Sequence, residues 1–148
     1  MKKYFFFIVL NLYVFQSFSQ DNGFGIGLIL GEPTGISAKI WSGNRNAFDA
    51  ALAWSFVHAG AMYIHVDYIW HNFKLIHVSE GKLPFYYGIG GRLVTGADAI
   101  LGARVPLGLA YMFEDVPLDT FLEITPILDL IPQTDFTINA ALGIRYFF

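Results

Sequence analysis

The chain has 148 residues, enough for one domain. It is 55% hydrophobic and 18% aromatic but only 14% charged, and its formal net charge is −3 with no basic run or stripe, so a nucleic-acid binder's electrostatic footprint is missing. There is no cysteine, which excludes a disulfide scaffold, a thiolate metal site and a cysteine nucleophile.

The opening stretch, MKKYFFFIVLNLYVFQSFSQ, sets Lys2 and Lys3 before an apolar core running from about Tyr4 to Phe15, followed by Ser17-Phe18-Ser19. Positive, then apolar, then small–x–small is the layout of a secretory signal peptide. The core is about twelve residues, against the ~20 that a spanning helix needs. The expectation is a signal peptide over 1–19, cut after Ser19, and one domain over 20–148.

Beyond it, no segment offers ~18 consecutive apolar residues, and Gly, Pro and β-branched residues interrupt every helical window. Period-two alternation fits instead. It predicts eight strands at about 23–31, 35–42, 46–56, 61–73, 84–94, 100–113, 119–130 and 136–148. The breaks carry turn chemistry: GEPTG, SGNRN, VHAG, SEGKLP, TGADA, EDVP and IPQTD. Connections this short suit antiparallel hairpins in sequence order. In GEPTG, the residues expected to set the turn are Pro33 and Gly35.

Successive strand side chains point to opposite faces, so parity sorts each strand. One parity is apolar throughout, for example Phe24, Ile26, Leu28 and Leu30 in the first strand and Leu142, Ile144, Tyr146 and Phe148 in the last. The other parity is mixed and rich in glycine. A soluble lipocalin-like barrel would turn the apolar face inward; an outer-membrane barrel would turn it to lipid and enclose the mixed face. The mixed face carries about one charge per strand, thin for a solvated surface. Its glycines suit the crowded inside of a narrow barrel. The apolar set is rich in aromatics near strand ends, as in the two interfacial girdles of a membrane barrel. The fold expected is therefore all-β, an eight-stranded antiparallel up-and-down transmembrane β-barrel.

The enclosed charges would be Lys39, Arg92, Arg104 and Arg145 against Asp49, Asp67, Glu123 and Asp129. An eight-stranded barrel is about filled by its own side chains, and an unpaired charge there costs several kcal/mol. Equal numbers of each sign would allow a closed, mutually paired network that plugs the interior. Arg104 and Glu123, on adjacent strands, are the best single pair; Arg145 and Lys39 would meet acids across the interior. The competing reading of the same charges is an ion or proton pathway.

His65 and His71 share the inward parity but lie about 20 Å apart along one strand, so they cannot share a metal. His77, Ser79 and Glu80 are the residue types of a hydrolytic triad, as in lipid-modifying outer-membrane enzymes. They are crowded into one turn, whereas catalytic His and Ser converge from separate segments. No catalytic, metal-binding or cofactor-binding residue is assigned.

The stretches GEPTGISAKIW, PLDTFLEITPILDL and NAALGIRYFF together resemble the small outer-membrane β-barrel proteins of Gram-negative bacteria. That resemblance covers nearly the whole mature chain and implies no agreed activity, catalytic residue or cofactor. It implies an eight-stranded barrel assembled by the outer-membrane insertion machinery, for which Phe148, Tyr146, Ile144 and Leu142 look like the C-terminal recognition signal. The partners expected are outer-membrane lipid and the barrel-assembly machinery. With the signal peptide cut in the periplasm and an even strand count, both termini would be periplasmic and GEPTG, VHAGA, VTGADA and IPQTD would face outward. The function expected is a structural or interaction role with a plugged interior and no catalysis; a narrow, porin-like pore for ions or small solutes is the alternative, and a lipid-modifying enzyme a distant third.

Overall fold

The computed structural model describes residues 23–55, 60–96 and 98–148. The expected signal peptide, and the parts of two turns at 56–59 and 97, lie outside them. The described chain is all strand and turn: β1 (Phe24–Gly31), β2 (Thr34–Trp41), β3 (Asn46–Ser55), β4 (Ala61–Asn72), β5 (Phe85–Val94), β6 (Ile100–Arg104), β7 (Leu107–Met112), β8 (Leu118–Ile131) and β9 (Asp135–Phe147).

All nine strands belong to one antiparallel sheet. β1 pairs with β2, β2 with β3, β3 with β4 and β4 with β5. β6 and β7 both lie between β5 and β8. β8 pairs with β9, and β9 returns to β1, so the sheet is ring-like with no free edge. The ring is also staggered. Stepping across from Gly27 through Ser37, Ala51, His65, Arg92, Gly102 and Asp129 leads to Asp135 on β9. The direct partner of Gly27 on β9 is Arg145, ten residues further on (145 − 135). Such a stagger requires the strands to tilt against the ring axis.

The single strand expected at 100–113 is two elements, which makes nine strands rather than eight. The cause is Pro106. Val105 N donates to Pro126 O at 3.0 Å and Gly88 N to Pro106 O at 3.1 Å, so the chain keeps its place between β5 and β8. Pro106 has no N–H, and one rung of the ladder is lost. The other boundaries differ from expectation by a residue or two.

The turn after β1 also differs from the reading of GEPTG. Gly31, not Gly35, takes the left-handed conformation (φ 124°). The Thr34 hydroxyl closes the turn, accepting from Gly31 N at 3.0 Å and donating to Gly31 O at 2.7 Å. Gly35 lies within β2, where its missing side chain makes room for the β3 backbone at Leu52 and Ala53.

The mixed face points inward. Every Asp, Glu, Lys, Arg and His within the strands has the inward parity, while the outward face of each strand is uncharged. Leu28, Trp54, Val66, Ile89, Leu122, Ile138 and Leu142 are among the large apolar side chains left exposed there. Inside, a polar middle lies between two apolar clusters. One contains Trp41, Ile69, Tyr86, Met112, Phe121 and Phe147; the other, at the far end, contains Ala53, Ala61, Tyr63 and Val94. Inward glycines sit beside bulky neighbours: a Cβ on Gly25 would come within 2.6 Å of the Phe147 ring, and Gly108 and Gly143 leave the same kind of space for Tyr86 and Phe121.

Candidate functional site

Strand parity delivers the eight expected charges to the interior from seven strands: Lys39 from β2, Asp49 from β3, Asp67 from β4, Arg92 from β5, Arg104 from β6, Glu123 and Asp129 from β8, and Arg145 from β9. All eight are buried, with exposures of 5% or less. Each therefore needs a partner, because a lone buried charge has lost its water without compensation.

Two arginines organise the set. Arg145 donates from Nε to Asp119 Oδ1 at 3.0 Å and from Nη1 to Asp49 Oδ2 at 2.7 Å. Its guanidinium also lies 4.2 Å over the Phe121 ring, a cation–π contact. Arg104 donates from Nη2 to Glu123 Oε1 at 2.8 Å and from Nη1 to Tyr63 Oη at 2.7 Å, and its Nε lies 2.9 Å from the Asp67 carboxylate. Glu123 is completed by hydroxyls from Tyr86 and Thr125, each at 2.8 Å. Arg92 and Asp129 form a separate two-pronged pair. The fork of a guanidinium can serve several acceptors at once, which an ammonium on a flexible stem does less well.

The histidines join these centres. Arg104 Nη1 lies 2.9 Å from His65 Nδ1, which must accept, leaving the His65 proton on Nε2. That Nε2 faces Asp49 and Asp67, each at 3.8 Å, and so links the Arg145 and Arg104 centres. Lys39 lies 2.8 Å from His71 Nε2, 3.8 Å from Asp119 and 4.3 Å over the Trp41 ring. His71 Nδ1 then donates to the Arg45 carbonyl at 2.8 Å. In each ring the accepting nitrogen is already taken by a neighbouring cation, so that lone pair is not free for a metal ion. Among the described residues, no group of three or more His, Asp or Glu could hold a metal ion.

Three members of the network were not singled out from the sequence. Asp119 is fully buried and bonds two cations, so among the described residues the interior holds five buried acids against four buried Lys and Arg rather than equal numbers. It sits at the first residue of its expected strand, but it shares odd parity with Glu123 and Asp129, a signal that would have found it. Tyr63 and Tyr86 are fully buried and supply hydroxyls to Arg104 and Glu123. Alternation gives them away too, because each has the inward parity of its strand.

The remaining sequence candidates fall elsewhere. Leu142, Ile144, Tyr146 and Phe148 line the outward face at the end of the chain and are all exposed. Phe148 N donates to Phe24 O at 2.8 Å, the last rung joining the terminus to the start of β1. His77, Ser79 and Glu80 are exposed together on the segment between β4 and β5.

What the site defines is a closed antiparallel ring whose interior is bridged by ion pairs and whose described strands turn no charge outward. No family model, curated protein or solved structure matches the chain.

Proposed function

We propose that this chain is an integral β-barrel of a Gram-negative outer membrane, with β6 and β7 forming one interrupted stave of eight, a plugged interior and a structural or interaction role without catalysis. One observation carries the reading: every Asp, Glu, Lys, Arg and His in the described strands has the inward parity, and the outward face is lined by exposed apolar and aromatic side chains. Exposed apolar patches on soluble monomers rarely exceed a few hundred Å². A ring of strands satisfies all its backbone groups internally, which is the condition for sitting in hydrocarbon.

The aromatics add support. Phe48, Tyr68, Trp70 and Tyr87 run ring against ring around one end of the outer face, at centroid distances of 4.9, 4.8 and 5.9 Å. Tyr111–Phe113 and Tyr146–Phe148 continue the belt at 4.9 and 5.2 Å. Tyrosine and tryptophan gather at the level of lipid headgroups. This is the end where the chain terminates, which on the present reading is periplasmic. The bridged interior favours a plug over a pore.

The test is unheated gel electrophoresis together with fractionation. The expected result is membrane-bound protein whose apparent mass changes on boiling. Soluble protein with no such change would overturn the fold reading and the location together.

A further inference from the structure

A groove of about 310 Å³ opens on the outer rim at the aromatic-belt end, lined by Arg45, Lys74, Asn72 and the rings of Trp70, His71, Phe73 and Tyr87. Its wall is the stacked pair Trp70 and Tyr87, centroids 5.9 Å apart and planes 22° apart. Its two cations stand on fixed backbone. The Arg45 carbonyl accepts from both His71 N and His71 Nδ1 at 2.8 Å. Lys74 N donates to Asn72 Oδ1 at 3.0 Å. Both side chains are exposed, and among the described residues neither has an acid within ion-pair distance. Acids stand on both rims, Glu80, Glu114 and Asp115 at this end and Glu32, Asp98 and Asp135 at the other, but among the described residues only this rim bears lysine or arginine.

We propose that this groove binds the phosphate of an anionic glycerophospholipid. The proposal rests on the membrane reading above and names the lipid class that one rim selects. Arg45 offers a planar fork matched to phosphate oxygens, and Lys74 adds a point charge on the other side. The indole and phenol rings occupy the boundary between headgroup and acyl chain, and the uncharged face below them, with Ile89 and Val66 exposed, receives the chains. Two unneutralised cations above an aromatic wall at a hydrocarbon edge match a phosphodiester attached to hydrocarbon better than they match a free anion.

The experiment is native mass spectrometry of the folded protein from zwitterionic micelles doped with phosphatidylglycerol or phosphatidylcholine. Retention of one phosphatidylglycerol in preference to phosphatidylcholine is expected. Arg45→Gln with Lys74→Gln should weaken that retention by about tenfold or more, while Asp98→Asn on the opposite rim should leave it unchanged. Equal retention of the two lipids, or no loss in the double variant, would overturn the site. Displacement of the lipid by millimolar inorganic phosphate would overturn the lipid as its source. Both arms use protein that already shows the heat-dependent gel shift, so a failure here is distinct from a failure of the membrane reading. Each single variant is tested alongside, so that a folding defect in the double variant does not decide the result.

Discussion

Arg145 and Asp49 are 96 residues apart in the sequence, and their side chains meet at 2.7 Å inside the ring. They arrive from β9 and β3, two strands that do not pair, so this contact crosses the interior rather than running along the sheet. Removing one member of a buried pair leaves the other without water or partner. Arg145→Met should therefore lower unfolding stability by about 3–5 kcal/mol. Asp49→Leu combined with it should cost less than the sum of the two single changes, with a coupling of about 1–3 kcal/mol. Equilibrium urea unfolding in lipid vesicles measures both, and simple additivity would mean that the contact carries no energy of its own.

Arg104 holds Glu123, Tyr63, His65 and Asp67 together across the middle of the interior. If these contacts plug the ring, the unsubstituted protein should be silent in planar bilayers. Arg104→Ala removes the central fork and should produce measurable current steps. Steady steps in the unsubstituted protein, altered by Arg104→Ala, would refute the plug and favour the pore.

Gly25 tests the fit between inward glycines and bulky neighbours. A methyl group there would press on the Phe147 ring at 2.6 Å, and the nearest atoms all belong to that ring. Gly25→Ala should destabilise by about 1–3 kcal/mol, as overpacking does. Adding Phe147→Leu removes the obstructing ring and should recover part of the loss. An unchanged urea midpoint for Gly25→Ala would show that the ring yields freely.

Phe148 contributes one backbone rung to Phe24 and an edge-on ring contact with Tyr146. Its side chain has the outward parity and is partly exposed, so deleting it leaves the enclosed network of ion pairs untouched. On the proposed reading, the deletion should reduce the amount reaching the outer membrane in cells while leaving refolding into synthetic lipid nearly unchanged. The two measurements separate a recognition signal from a purely structural contact. Normal membrane levels of the truncated chain would count against the recognition role.

Alternation made most of the strand plan readable, because a side chain's face follows from its parity alone. The same rule places Asp119, Tyr63 and Tyr86 inside, although attention to charge and to strand centres passed them over. Pro106 is different. Its lost rung is predictable from the missing N–H, but whether the chain turns away or resumes its course depends on β5 and β8 on either side, which only the folded sheet supplies.

The sequence by itself determined that one face of every strand is apolar and that the other carries all the charge, since both facts are matters of spacing. Alternation alone reads the same for a sheet curled either way; the thin charge and the glycines of the mixed face pointed to that face as the enclosed one, and the folded ring has it inside. The sequence did not determine the partners. Lys39 and Asp119 lie 3.8 Å apart, and His65 faces Asp49 and Asp67, because ring closure and the stagger of the strands bring distant residues to one height. That height depends on how many residues the register slips around the whole ring, a property of all the pairings together, so only the tertiary structure could decide it.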